Sequence, residues 1–335
     1  MDINAGAAWL KLRQKIYFWH LPTEMYLLNF CAISPAGVIT AATKLASLQK
    51  TTQQIATAQE PDYKNLIPPM QLRRMTKPVR TGIAAARMTL EPLGREQPAS
   101  IHVGTAWGML QDSEHFLQKM IEQQEQMLAP TAFIQSTHNT VAGQIALGIA
   151  CTAHNMTFVH TGHSLENAYL DALLMPPHEA PMLLGCVDEI TESITKILGR
   201  FGIYNQDTIP GEGAAFYAVS HQYHANACGK ISFCDTFNAA DSNTAKHQIN
   251  RILKENNIVA NEGDVLLEGT YINLAAMANM PIVRYKDYCG HYPTAAGFGW
   301  AMALLHLQEG YQRCFVTNRV ADNFSFTCIE KVVHE

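Results

Sequence analysis

Charge is scarce in this chain: Asp, Glu, Lys and Arg make up 16% of its 335 residues, against roughly 25% in an ordinary soluble domain. Neither sign dominates, because the net charge is only −5. Nucleic acid and anionic membrane surfaces therefore have no basic patch of composition to meet. Long apolar runs are missing too, and no stretch approaches the roughly 18–20 residues of a transmembrane helix. Paired cysteines are also lacking. The eight (Cys31, Cys151, Cys186, Cys228, Cys234, Cys289, Cys314 and Cys328) stand singly, mostly inside apolar runs, with no C-x-x-C. That spacing speaks against a disulfide or zinc framework and for reduced core thiols in a cytoplasmic protein. Residues 1–24 mix Trp9, Leu10, Ile16 and Trp19 with Lys11, Arg13 and Lys15. Without a continuous apolar core or cleavage site they read as an amphipathic N-terminal extension, not as a signal peptide.

Apolar residues, at 47%, are plentiful enough for one large domain or two packed halves. Residues 25–33 read as a strand closed by the turn Ser34-Pro35-Ala36-Gly37. Residues 71–90 read as a helix with a basic start, 101–105 as a strand, and 113–128 as a helix with an apolar stripe. The uncharged stretch after Asn139 predicts a buried helix, and 182–187 a further strand. Gly199, Gly202 and Pro210-Gly211 break the chain and divide it into halves at 25–200 and 201–335 of one integrated domain. GEGAAFYAVSHQ (211–222) and KISFCDTF (230–237) are expected to be adjacent strands. A helix over 241–256, a strand over 264–267, a small-residue helix and two closing strands complete an α/β pattern.

The stretch TFVHTGHSLENAYLDALL (157–174) carries the clearest chemistry. It predicts a strand that turns sharply and enters a helix. Backbone N–H groups and the macrodipole at such a helix start favour developing negative charge and lower a thiol pKa, so nucleophiles are often held there. The residue at this turn is His163.

Several segments together resemble the β-ketoacyl synthase branch of the thiolase-like superfamily. FCAISPAG (30–37) is similar to its first strand and turn, and HVGTAWG (102–108) to its GT-G motif. HNTVAGQIAL (138–147) looks like its Asn-containing segment and PGEGAAFYAV (210–219) like its GEGA strand. KDYCGHYPTAAG (286–297) matches its K-x-x-x-GH-x-x-x-AAG. The resemblance implies a thiolase-like α/β fold of duplicated α-β-α-β-α layers that dimerises across its central strands. It also implies chemistry on acyl thioesters carried by acyl carrier protein, with no cofactor and no metal.

The implied roles do not all find their residue. The nucleophilic Cys falls on His163, and the first histidine, from an H-G-T motif, falls on Glu268 of Glu268-Gly269-Thr270. His291 and Lys286 stand where the family has its second histidine and lysine. The Gly-rich closing loop has no counterpart in VTNRVADNFSF. Without a thiolate there is nothing to accept an acyl group. The pattern resembles the nucleophile-less chain-length-factor subunits that pair with an active ketosynthase, and its wording those of aryl polyene and flexirubin-type pathways. By that resemblance the chain works with a ketosynthase subunit and acyl carrier protein in polyketide or fatty-acid-type biosynthesis, and is no enzyme on its own. Two alternatives stay open: a divergent acyltransferase or decarboxylase using His291 and Lys286, and a homodimeric acyl-binding scaffold. Cys289 and Asn139 are candidate pocket residues. Arg73, Arg74, Lys77 and Arg80 form a basic cluster suited to docking an acidic carrier protein or a partner subunit. His138, His154 and His160 crowd one region, but they are not expected to hold a metal, because His160 and His163 straddle a strand-to-turn junction. Glu166 and Asn167 are candidates to answer polar groups across a dimer interface.

Overall fold

The structure, a computed structural model, describes residues 24–332 except 95–96, 206 and 271–279. The segment expected to be amphipathic, 1–23, lies outside the described residues.

Among the described residues, eleven strands form one mixed sheet. In chain order they are β1 (Met25–Ser34), β2 (Gly37–Thr40), β3 (Ser100–Gly104), β4 (His154–Phe158), β5 (Met182–Asp188) and β6 (Gly213–Ser220). They continue as β7 (Gly229–Asn238), β8 (Asp264–Glu268), β9 (Ile282–Arg284), β10 (Arg313–Val320) and β11 (Asn323–Glu330). Residue alternation sends side chains to opposite faces. In β6 it places Ala215, Tyr217 and Val219 in one core and Ala214, Phe216 and Ala218 in another. A strand covered on both faces is apolar throughout, which is why β1, β5 and β6 read as continuous runs.

From one edge the strand order is β4-β3-β5-β6-β1, and from the other β9-β8-β10-β11-β7, the two sets meeting where β1 pairs with β7. The sets share one pattern. β3 lies parallel between β4 and β5, as β8 does between β9 and β10, while β6 and β11 run antiparallel beside them. The repeat therefore turns over between Ser220 and Gly229, and β6 sits with the first set. Two expectations change: β6 and β7 are not neighbours, because β1 lies between them, and the break at 199–211 falls in the approach to β6.

Three apolar clusters separate the layers. The central one buries the helices Ser164–Leu174 and Ala296–Gln308 between the two strand sets, with Trp300, Phe298 and Leu165 at its heart. The second holds the helices Lys77–Leu90 and Thr140–Gly148 against the outer face of the first set. The third holds Ser242–Glu255 against the outer face of the second. This is the layered α/β thiolase-like arrangement. The helix expected over 71–90 is two, Pro69–Leu72 and Lys77–Leu90, because Pro78 has no N–H to give an interior turn and sits in the first turn of the second helix. The helix expected over 113–128 is Leu110–Glu122 and buries none of its residues.

Candidate functional site

The turn that ends β4 holds His163. Thr161 adopts a left-handed φ of 48°, and a 3-10 turn over Thr161–His163 leads into the Ser164–Leu174 helix. Ser164 Oγ donates to Thr161 O at 2.8 Å and accepts from His160 N at 2.9 Å, which pins the turn from both sides. Two glycines let neighbours approach. A Cβ on Gly104 would meet the Ser164 carbonyl at 2.5 Å, and one on Gly162 would meet Val320 at 2.8 Å. The helix start is thus held on β3 and against β10.

His163 itself is 9% exposed, and its Nε2–H donates to Phe324 O at 3.0 Å. Burial lowers its pKa, a shift that the carbonyl offsets only in part, so the ring is a neutral imidazole at neutral pH. Thr161 Oγ1 accepts from Asn323 at 2.7 Å. Asn167 bonds His160 within this chain at 2.7 Å. It is thus partnered locally.

The end of β10 and the start of β11 form a common wall. It meets His163 through Phe324, Gly162 through Val320, Lys286 through Arg319 O at 3.4 Å, and Gly269 through Thr317 Oγ1 at 3.2 Å. Motif residues from three parts of the chain are therefore gathered on one segment. Lys286 is 4% exposed, and burial lowers its pKa to about 8. Burial, with Lys286 nearby, pushes His291 down to about 3, so it too is a neutral ring. At neutral pH Lys286 is still largely protonated, whereas His291 is neutral.

Glu268 closes β8 at 5% exposure, with Arg284 at 3.5 Å. Burial raises its pKa and Arg284 opposes that rise. The carboxylate lies on a half-open cleft of about 670 Å³ that Lys50, Arg284, Asp287 and Tyr288 also line. Glu166 lies one turn along from His163. It is 3% exposed, and neither carboxylate oxygen reaches a hydrogen-bond partner. Burial pushes it up to about 7, while Ser325 and Lys286 offset this only in part. It is buried within the described chain.

Two expected pocket residues and the basic cluster remain to be placed. Asn139 is exposed at the start of the Thr140–Gly148 helix. Cys289 is fully buried, its Sγ 3.3 Å from Gly290 O and its thiol pKa driven up by burial, so it presents no thiolate. The basic cluster is half committed to the fold. Lys77 pairs with buried Glu212, and Arg80 makes a two-pronged pair with Glu60, leaving only Arg73 and Arg74 exposed.

One buried carboxylate connects the motifs. Asp188 Oδ1 accepts from Thr105 Oγ1 and the N–H groups of Ala106 and Trp107, and Oδ2 from Thr294 N and Oγ1, at 2.8–3.2 Å. It ties the loop after β3 to the loop after His291.

Residues 46–196 match the family model for the beta-ketoacyl synthase N-terminal domain. No curated protein matches the chain in sequence. Among solved structures it is similar to a type II PKS acyl-carrier protein in complex with its ketosynthase bound to the hexaketide (AntDE:AntF). That match has 16% identity and a TM-score of 0.74, covering 92% of this chain and 99% of the other. The ishigamide ketosynthase/chain length factor matches at 14% identity and TM-score 0.73, with coverage of 92% and 99%. The ketosynthase ApeO in complex with its chain length factor ApeC, from Xenorhabdus doucetiae, matches at 12% and 0.68, with coverage of 94% and 100%. At such identities the likeness shows the fold. No helix among the described residues is long and apolar enough to cross a membrane.

Proposed function

On the premise that the chain is a β-ketoacyl synthase-like protein of thiolase-like fold, we propose that it is a non-catalytic, chain-length-factor-type subunit. It pairs with an active ketosynthase and bounds the acyl chain grown on acyl carrier protein. The observation that carries this is His163: the seat that would present a thiolate holds a buried imidazole committed to Phe324 O. A ring in that position cannot form a stable thioester, and the nearest motif thiol, Cys289, is sealed. Glu268 compounds the loss, because a carboxylate under Arg284 repels a malonyl carboxylate that a histidine would bind.

Pairing is supported by the edge of the sheet. β4 is a terminal strand, and Met156 and Val159, on and just after it, are 44% and 49% exposed, with Leu147 on the adjoining helix at 75%. An apolar uncovered edge is a template for another chain. The neighbours that contain a ketosynthase with its chain length factor fit the same reading, and the exposed Arg73 and Arg74 suit an acidic carrier protein.

The test is co-expression with a ketosynthase that retains its Cys and both His, followed by size exclusion and intact mass after incubation with acyl carrier protein loaded with an acyl chain. A one-to-one heterodimer with the acyl mass only on the other subunit is expected, and Met156→Arg should abolish the pairing. His163→Cys alone should stay unacylated. A covalent acyl mass on the wild-type chain would overturn the proposal.

A further inference from the structure

Away from the motif residues, the parity of two strands and one helix brings three metal-ligand side chains together. Ser100 and His102 lie two apart on β3 and so share a face. Ser100 is paired in register with His154 of the parallel strand β4, which sets that histidine on the same side. The Ser164–Leu174 helix crosses this face, its start lying on Gly104. About 10 Å further on, at the α-helical rise, it delivers Asp171. Asp171 Oδ2 lies 2.7 Å from His102 Nδ1 and 2.9 Å from His154 Nε2. All three ligand atoms lie within 4.8 Å of one another. Ser100 Oγ stands 2.7 Å behind His102 on Nε2.

The geometry points to a binding site for a divalent first-row transition ion, zinc by preference, held by His102 Nδ1, His154 Nε2 and Asp171 Oδ2. Two imidazoles and one carboxylate are a donor set that such ions favour over calcium or magnesium. Tetrahedral zinc with bonds of about 2.0–2.1 Å sets its ligand atoms roughly 3.3 Å apart. The two contacts to the carboxylate therefore open by about half an ångström, within side-chain reach. Each ring proton that now points at the carboxylate moves to the other ring nitrogen. On His102 that nitrogen is Nε2, where Ser100 Oγ changes from donor to acceptor and becomes the outer partner that orients a ligating histidine. His154 keeps 36% of its side chain exposed, which gives the ion its entry and leaves a fourth position for water. The same four residues also present a Ser–His–Asp order, but Ser100 is fully buried and no substrate reaches it.

Isothermal titration of the full chain, stripped with EDTA, with Zn²⁺ is expected to show one tight site. His154→Ala and Asp171→Asn should each weaken it at least tenfold. Co²⁺ in place of Zn²⁺ should give the visible absorption of a tetrahedral complex, and His154→Ala should remove it. His154 is partly exposed, so its alanine variant should fold, as circular dichroism will check, and it decides the matter if Asp171→Asn does not fold. Zinc affinity and Co²⁺ spectrum unchanged in His154→Ala, or no binding by the wild type, would overturn the site.

Discussion

Glu166 shows what a single buried charge does here. Its ordinary pKa near 4.5 is raised to about 7, burial being the main cause. A carboxyl whose folded pKa lies above its unfolded one holds a proton in the fold that it loses when unfolded. Stability is then fully present below pH 4.5 and falls as pH rises to 7. At 1.36 kcal/mol per unit the loss is about 3 kcal/mol at pH 8. Glu166→Gln should therefore raise the urea unfolding free energy at pH 8 by up to about 3 kcal/mol, with the gain gone at pH 4.5. An equal gain at both pH values would show that the charge is not the cause. At this scale the sequence was legible where a family motif anchors a position: His163, Glu268, Lys286 and His291 could be given expected roles by resemblance. Glu166 could not, because its meaning comes from burial, which spacing does not encode. The convergence of His102, His154 and Asp171 was hidden for a related reason. It depends on the register of β3 on β4 and on where a helix crosses, and the sequence grouped His154 with His138 and His160 instead of with His102 and Asp171.

Among elements, Asp188 is the joint on which the loops after β3 and after His291 depend. Five donors converge on its two oxygens, and it is 2% exposed. Asp188→Asn must turn an NH₂ toward one of those groups and leave donor facing donor. The cost of such buried mismatches puts the loss of unfolding free energy at roughly 3 kcal/mol. Urea midpoints would check this, and a loss below about 1 kcal/mol would mean that the loops repack independently. Most elements could be read from alternation or helical period, and the closing pair β10 and β11 came out as expected. The missed boundary at Lys77 carried a signal, since Pro78 marks a first helical turn. The Leu110–Glu122 stripe is left uncovered by the described chain, because periodicity reports a face that wants covering and not what covers it.

At the scale of the whole molecule, the strand order was the least visible feature. The pairing of β1 with both β6 and β7 joins residues some 200 apart in sequence and leaves no local mark. A conspicuous Gly/Pro loop at 199–211 is easier to see than the quieter turnover after Ser220. The same fold sets two opposed titrations against each other. Burial holds fully buried His102 down at about 4, below an ordinary value of 6.5, and Asp171 raises it only in part. A histidine with a depressed folded pKa takes up a proton more readily when unfolded. Its contribution is intact above pH 6.5 and is lost as pH falls to 4, by about 3 kcal/mol. Burial raises Glu166 and Glu189 to about 7 each, so stability is regained over pH 7 to 4.5. Between pH 6.5 and 4.5 the two glutamates each return about 3 kcal/mol while His102 and His291 each give up about as much, so the wild type should hold a near-level unfolding free energy over that window. Below that the carboxylates have nothing more to return, and stability should drop as His291, held at about 3, continues to oppose protonation in the fold. The double variant Glu166→Gln, Glu189→Gln removes the compensating arm. Its unfolding free energy should be the higher at pH 8 and should decline steadily from pH 6.5 to 4. Chemical denaturation at half-unit intervals would reveal this. A double variant whose profile runs parallel to the wild type over that range would show that the level stretch does not arise from these carboxylates.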